Sequence, residues 1–219
     1  MRLQGKLAMG NGHGWNPFAA SNLDLFGAEL SWYSSYDHDV DALDFKRAVS
    51  FRKPIVFLLN EGLNDKAFTE APYFGYEVYF EKMMAYGFFP SFFSVDASND
   101  PYWQDKQKIE NGRPFFKKYI PLIKEISAAG WEPVTLARSG SEGIRIERFG
   151  RGDRIFFTIR NNSDRDTDCN VKVDAGKLGI KDKYAAREMT GGNTVEIKAG
   201  TFRLMIPAER TRVILITPR

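Results

Sequence analysis

The run Pro54-Ile55-Val56-Phe57-Leu58-Leu59-Asn60 holds five successive apolar residues with no polar alternation. A strand with one face in water alternates, and a strand covered on both faces does not, so this run predicts a buried strand of a parallel sheet. The same signals recur on either side. Upstream, Lys6 to Met9 and Leu23 to Leu30 read as strands, and Val40 to Phe51 carries Val40, Leu43, Arg47, Ala48 and Phe51 at helical spacing. Downstream, Tyr76 to Tyr86 reads as a helix and Phe88 to Val95 as another buried strand. Arg113 to Ala129 is a further helix, with Phe116, Ile120, Ile123 and Ile126 on one face and Gly130 placed to cap its end. The order β, β, α, β, α, β, α predicts parallel strands with helices outside them, as an arc of a (β/α)₈ barrel or as a doubly wound open sheet. The run Gly10-Asn11-Gly12-His13-Gly14 lacks the G-x-G-x-x-G spacing, and no helix pattern starts behind it, which argues against a dinucleotide site.

From Trp131 the pattern changes to short alternating runs divided by turns. Ile144, Ile146 and Phe149 alternate with Arg145 and Glu147, Gly150 to Asp153 turns the chain, and Arg154 to Arg160 alternates again. Further runs at Cys169 to Val173, Tyr184 to Met189, Thr194 to Ile197, Thr201 to Ile206 and Thr211 to Thr217 complete an expected antiparallel β-sandwich, closed on itself.

The 219 residues are 43% hydrophobic and 27% charged, an ordinary globular composition. The net charge of +3 comes from 31 basic and 28 acidic residues spread along the chain, which implies no nucleic-acid or anionic-lipid partner. No apolar run reaches the roughly 18 residues of a membrane span. One cysteine, Cys169, excludes an internal disulfide, reads as a small core residue, and leaves the compartment open.

Three segments carry a resemblance: MMAYGFFPSFFS (83–94), RPFFKKYIPLIKEISAAGWEPVTLARS (113–139), and the hairpin IRIERFG…RIFFTIRNNS (144–163). A last barrel helix, a Gly-Trp-Glu-Pro hinge and a terminal sandwich resemble the glycoside hydrolase-like proteins whose (β/α)₈ barrel is followed by a C-terminal β-sandwich. The resemblance implies an α/β plus all-β chain. Residues 1–137 form the C-terminal half of a barrel, about four βα units resembling its fifth to eighth strands, and 138–219 form the sandwich. It implies a portion of a carbohydrate-active enzyme that hydrolyses glycosidic bonds with paired carboxylates when the full barrel is present. No cofactor is implied. A chain beginning inside the fold is expected to be inactive alone and to pair with the missing barrel half or with itself. The alternative is a non-catalytic carbohydrate-binding or structural module.

In such a barrel, function sits in the loops after the strands. Glycoside hydrolysis needs two carboxyl groups flanking the bond, and Glu29 and Glu61 are the catalytic candidates. Glu29 lies between Ala28 and Leu30 in an apolar run, where it is either functional or a paired structural carboxylate. Glu61 reads equally as a turn residue. The sugar-binding candidates are Asn11, His13, Trp15, Asn16, Trp32, Tyr33, Asn60, Asp96 and Trp103: aromatic rings match the C–H faces of sugars, and Asn and His bond hydroxyls. The bland reading of the aromatics is packing at the barrel mouth, and that of Asp96 is a helix cap or Asx turn. His38 in Asp37-His38-Asp39 reads as a solvated loop, so no metal site is expected.

Overall fold

The computed structural model describes residues 7–11, 22–30, 40–59, 75–92, 110, 112–180, 184–192 and 194–218, with only the backbone of 29, 30, 40, 41, 59 and 92. Strands β1 (Met9–Asn11), β2 (Leu25–Leu30), β3 (Ile55–Leu59) and β4 (Phe89–Phe92) form a parallel sheet in chain order. Helix α1 (Val40–Ser50) lies between β2 and β3, α2 (Tyr76–Tyr86) between β3 and β4, and α3 (Arg113–Ala129) after β4.

Register shows which face the helices cover. Phe26 pairs with Ile55 and Ala28 with Phe57, so these four share one face. All are buried in one cluster with Leu43 of α1 and Tyr79, Phe80, Met83 and Met84 of α2. Both crossover helices therefore pack on the same side, and the strand order never reverses. A doubly wound sheet needs helices on both faces and a reversal of order, and this sheet has neither among the described residues. Each fully buried side chain of this size stabilises the layer by about 1.5–3 kcal/mol. The opposite face is only half-buried at Leu25, Val56, Leu58 and Phe89.

Helix α2 ends as its sequence dictates. Gly87 takes φ 64°, its N–H bonds to the Met84 carbonyl, and the Phe88 N–H bonds to the Met83 carbonyl, the paired closure of a Schellman cap. A Cβ at Gly87 would also lie 2.7 Å from the Phe149 ring.

Strands β5 (Trp131–Glu132), β7 (Ile144–Phe149), β8 (Ile155–Asn161), β10 (Tyr184–Glu188), β11 (Thr194–Val195) and β13 (Thr211–Pro218) form an antiparallel sheet in the order β11-β10-β13-β8-β7-β5. A second sheet, β12-β9-β6, is built from β6 (Ala137–Ser139), β9 (Thr167–Val173) and β12 (Thr201–Ile206). Ile155, Phe157, Ile159, Ile214 and Ile216 meet Cys169, Val171, Phe202 and Ile206 of the second sheet in one core. Burial pushes the Cys169 thiol up to about 11, so it packs as a small apolar group.

The sandwich is not closed on itself as expected. Phe149, Phe156 and Val213, from the other face of the six-stranded sheet, belong to the same cluster as α2 and α3. Every residue of β8 is buried, because this strand is covered by helices on one side and by β9 and β12 on the other. The chain is thus layered as parallel sheet, helices, six-stranded sheet and three-stranded sheet.

Candidate functional site

All four parallel strands run the same way, so Asn11, Leu30, Leu59 and Phe92 end at one edge of the sheet. Asn11 is exposed at the end of β1, opposite Gly27. The Asn11 Oδ1 lies 2.9 Å and its Cα 3.2 Å from where a Gly27 Cβ would sit. Glycine at 27 is what lets the Asn11 amide lie over the sheet surface. Glu29, two residues on, pairs with Leu58, which pairs with Ser91. This row of Glu29, Leu58 and Ser91 belongs to the half-buried face of the sheet. The side chain of Glu29 lies outside the described part. Glu61, His13, Trp15, Asn16, Trp32, Tyr33, Asn60, Asp96 and Trp103 lie outside the described residues.

The row is fastened from behind by a residue that sequence reading passed over. The Tyr79 hydroxyl lies 2.9 Å from the Phe57 carbonyl and 3.1 Å from that of Ser91, and accepts the Ser91 N–H at 3.3 Å. It ties β3 to β4 at the level of the row. Burial raises the Tyr79 pKa far above its ordinary value, so the hydroxyl keeps its proton as a donor. The available signal was a tyrosine on the apolar face of a predicted helix, where a buried hydroxyl must find a partner. Gly27 was likewise passed over, although a glycine inside a strand often marks a close approach.

Among the described residues no three His, Cys, Asp or Glu groups converge as metal ligands would. No helix is long and apolar enough to cross a membrane. In the sandwich Phe149, Phe156, Phe157 and Phe202 are buried and Tyr184 is half-buried, so these rings form no exposed platform for sugars.

The electrostatics concentrate at the junction of the layers. Glu81 of α2, 2% exposed, accepts Arg210 Nε at 3.0 Å and Nη2 at 2.9 Å, the Thr211 N–H at 2.8 Å and the Tyr119 hydroxyl at 2.8 Å. Thr211 Oγ1 donates to the Glu81 carbonyl at 2.9 Å. Hydrogen bonds from its carboxylate partners raise the Arg210 pKa against the effect of burial. Glu132, also 2% exposed, is bonded by Arg52 and by Arg151 at 2.6 Å. Burial pushes its carboxyl up, but those guanidinium bonds outweigh it and hold the pKa below the ordinary range. These two buried carboxylates are engaged in joining the layers.

Comparison with known proteins agrees with this architecture. No family model matches the chain, and no curated protein matches it in sequence. Solved structures do match. The α-amylase of Geobacillus thermoleovorans, solved with acarbose, is 13% identical with a TM-score of 0.58, over 96% of this chain and 53% of that one. The α-galactosidase I of Mortierella vinacea is 13% identical with a TM-score of 0.55, over 94% and 56%. An Anoxybacillus α-amylase is 10% identical with a TM-score of 0.54, over 96% and 52%. The chain therefore has a partial glycoside hydrolase-like fold, spanning about half the length of the structures it matches. At these identities the likeness is one of fold.

Proposed function

We propose that this chain is the C-terminal portion of a glycoside hydrolase-like carbohydrate-active enzyme, and that β1 to β4 are the last four strands of its (β/α)₈ barrel. The observation that carries the reading is the singly wound parallel sheet, with helices on one face among the described residues, in a chain whose fold matches half of an α-amylase and an α-galactosidase. The substrate is a carbohydrate, bound where such barrels place their sites, beyond the strand ends.

In this reading Glu29 and Glu61 come from adjacent strands, whose backbones run about 4.8 Å apart, and act as the pair of carboxyl groups. A separation of about 5 to 5.5 Å between them gives retention, and about 6.5 to 9.5 Å gives inversion. Asn11, His13, Asn16, Asn60 and Asp96 bond sugar hydroxyls, and Trp15, Trp32, Tyr33 and Trp103 stack on ring faces. Gly27 and Tyr79 are positioning residues: one seats the Asn11 amide, and the other fixes the row that includes Glu29.

The test is calorimetric titration of the chain with a panel of oligosaccharides, alongside an aryl glycoside assay. Weak saccharide binding without turnover is expected, because a half-barrel lacks the loops of the other strands. Trp15→Ala or Trp103→Ala should weaken binding by about 1–3 kcal/mol, the order of one lost aromatic contact. Absence of saccharide binding, or binding indifferent to both tryptophans, overturns the site. Turnover by the chain alone that persists in Glu29→Gln and Glu61→Gln overturns the assignment of the carboxylates.

A further inference from the structure

We propose a second binding site, on the outer end of the three-stranded sheet, in which Arg138 of β6 and Lys172 of β9 together bind an oxyanion of sulfate or phosphate type, free or carried on a saccharide. The two cations are direct cross-strand partners. Like charges placed opposite each other on one sheet face destabilise it, so the pair is a liability unless something anionic occupies the space between them. Both side chains are exposed, and neither has an ion-pair partner within 4 Å among the described residues.

Asp174, the carboxylate that shares their groove, feels the charge of Arg138 but forms no ion pair with it. It accepts the Lys177 backbone N–H at 3.1 Å and lies 3.5 Å from Lys177 Nζ, so it brings a third cation with it. The groove has a volume of about 680 Å³, within the range of small-molecule sites. Its walls hold two non-glycine residues at positive φ, Leu136 at 55° and Ala199 at 48°. L side chains adopt that backbone only against a steric penalty, and such residues gather at binding sites more than elsewhere. The contrast is a groove of about 700 Å³ beside β12, where Arg203 is bound to Asp168 and Lys198 to Glu196. Two of the three cations lining that groove are paired, Arg212 being the third, whereas neither Arg138 nor Lys172 is in an ion pair among the described residues. This site is independent of the strand-end cleft and stands or falls without it.

Thermal unfolding in sodium sulfate, against sodium chloride at equal ionic strength, provides the test. Sulfate stabilises proteins generally, so the decisive comparison is between variants. Wild-type protein should show a saturable rise in Tm with sulfate. Arg138→Gln and Lys172→Gln should each raise the anion-free Tm by about 1–2 °C by removing the repulsion, and should abolish the saturable part. Arg203→Gln, on the same sheet face, should leave it intact. A sulfated oligosaccharide saturating well below inorganic sulfate, with its neutral counterpart inert, assigns the oxyanion to a glycan, and equal midpoints assign it to the free ion. A sulfate response that survives in the Arg138→Gln/Lys172→Gln double variant, or that never saturates in wild type, overturns the proposal.

Discussion

Helix α2 is shared by two sheets that use it differently. Toward the parallel sheet it presents Tyr79, Phe80 and Met83, and that sheet buries one face and leaves Val56, Leu58 and Phe89 half-buried on the other. Toward the six-stranded sheet it presents Glu81 and Ala85: Thr158 Oγ1 donates to the Ala85 carbonyl at 2.5 Å, and Arg210 and Thr211 close on Glu81. The six-stranded sheet is covered on both faces along β8, which has no exposed residue. A strand buried on both sides has its groups committed to structure. A sheet half-buried on one side keeps a surface on which chemistry can be placed. The difference separates a sheet committed to packing from one with an open face within one chain.

The severest way to break this comparison is to cut between the layers. Residues 138–219 expressed alone would expose Phe149, Phe156 and Val213, an apolar face of the kind that drives aggregation. The expected outcome is an insoluble or dye-binding species in ANS fluorescence, and a monomeric fragment with sharp NMR dispersion would show the helices to be dispensable cover. Next in size is Glu81→Ala, which leaves the buried Thr211 N–H without its acceptor and removes one of the two carboxylates bonded to the part-buried Arg210 guanidinium, Glu77 being the other. A loss of about 1–3 kcal/mol is expected for buried donors left without an acceptor, read from urea unfolding. A loss below about 1 kcal/mol would reduce the junction to the standing of a surface ion pair.

Acid should act on the junction before it acts on the sheet. The Glu132 pKa is lowered in the folded chain, and so is that of Glu77, where the opposing effect of burial is outweighed by Lys118 and Arg210. A carboxyl whose folded pKa is depressed contributes stability that is present above its unfolded value, about 4.3, and lost as pH falls through the folded value. The urea midpoint should therefore hold near neutrality and decline below about pH 4.3. Glu132→Gln should lower it at pH 7 and flatten the decline, and an unchanged slope would remove Glu132 from the account. The smallest effect belongs to the parallel sheet. Tyr79→Phe removes one buried hydroxyl and should cost about 0.5–1.5 kcal/mol, with faster amide exchange at Ser91 and little change at the junction.

What the sequence made legible follows from how local each cause is. The run Ile55–Leu59 was readable because an unbroken apolar run marks a buried strand, and Arg113–Ala129 because Phe116, Ile120, Ile123 and Ile126 share one face and Gly130 closes it. Strand β1 was expected over Lys6 to Met9 but runs Met9–Asn11; it is short and exposed at both ends, and its place is fixed by pairing Met9 with Leu25. Trp131 and Glu132 read as a hinge, yet they form β5 through Phe149 and Arg148, partners well along the chain. Glu81 drew no attention because a glutamate in a helix reads as solvated, and its ligands Arg210 and Thr211 lie 129 and 130 residues away. For the candidate site, the strand-end position of Glu29 and Asn11 was legible from strand grammar. Gly27 and Tyr79 were not, since their roles depend on which strand lies beside which.

The distance from Glu81 to Arg210 also sets an order of events during synthesis. At about 5–20 residues per second, the 129 positions that separate them take roughly 6–26 s to emerge. Throughout that interval α2 exists without the guanidinium that neutralises its carboxylate and without the strands that cover its second face. The nascent parallel sheet must therefore be held in a soluble, unfinished state until Arg210 has left the ribosome. Such long-range closure is slow and exposed to misassembly. A ribosome stalled before Arg210 would release a chain whose early layers were already made but had nothing to lock them.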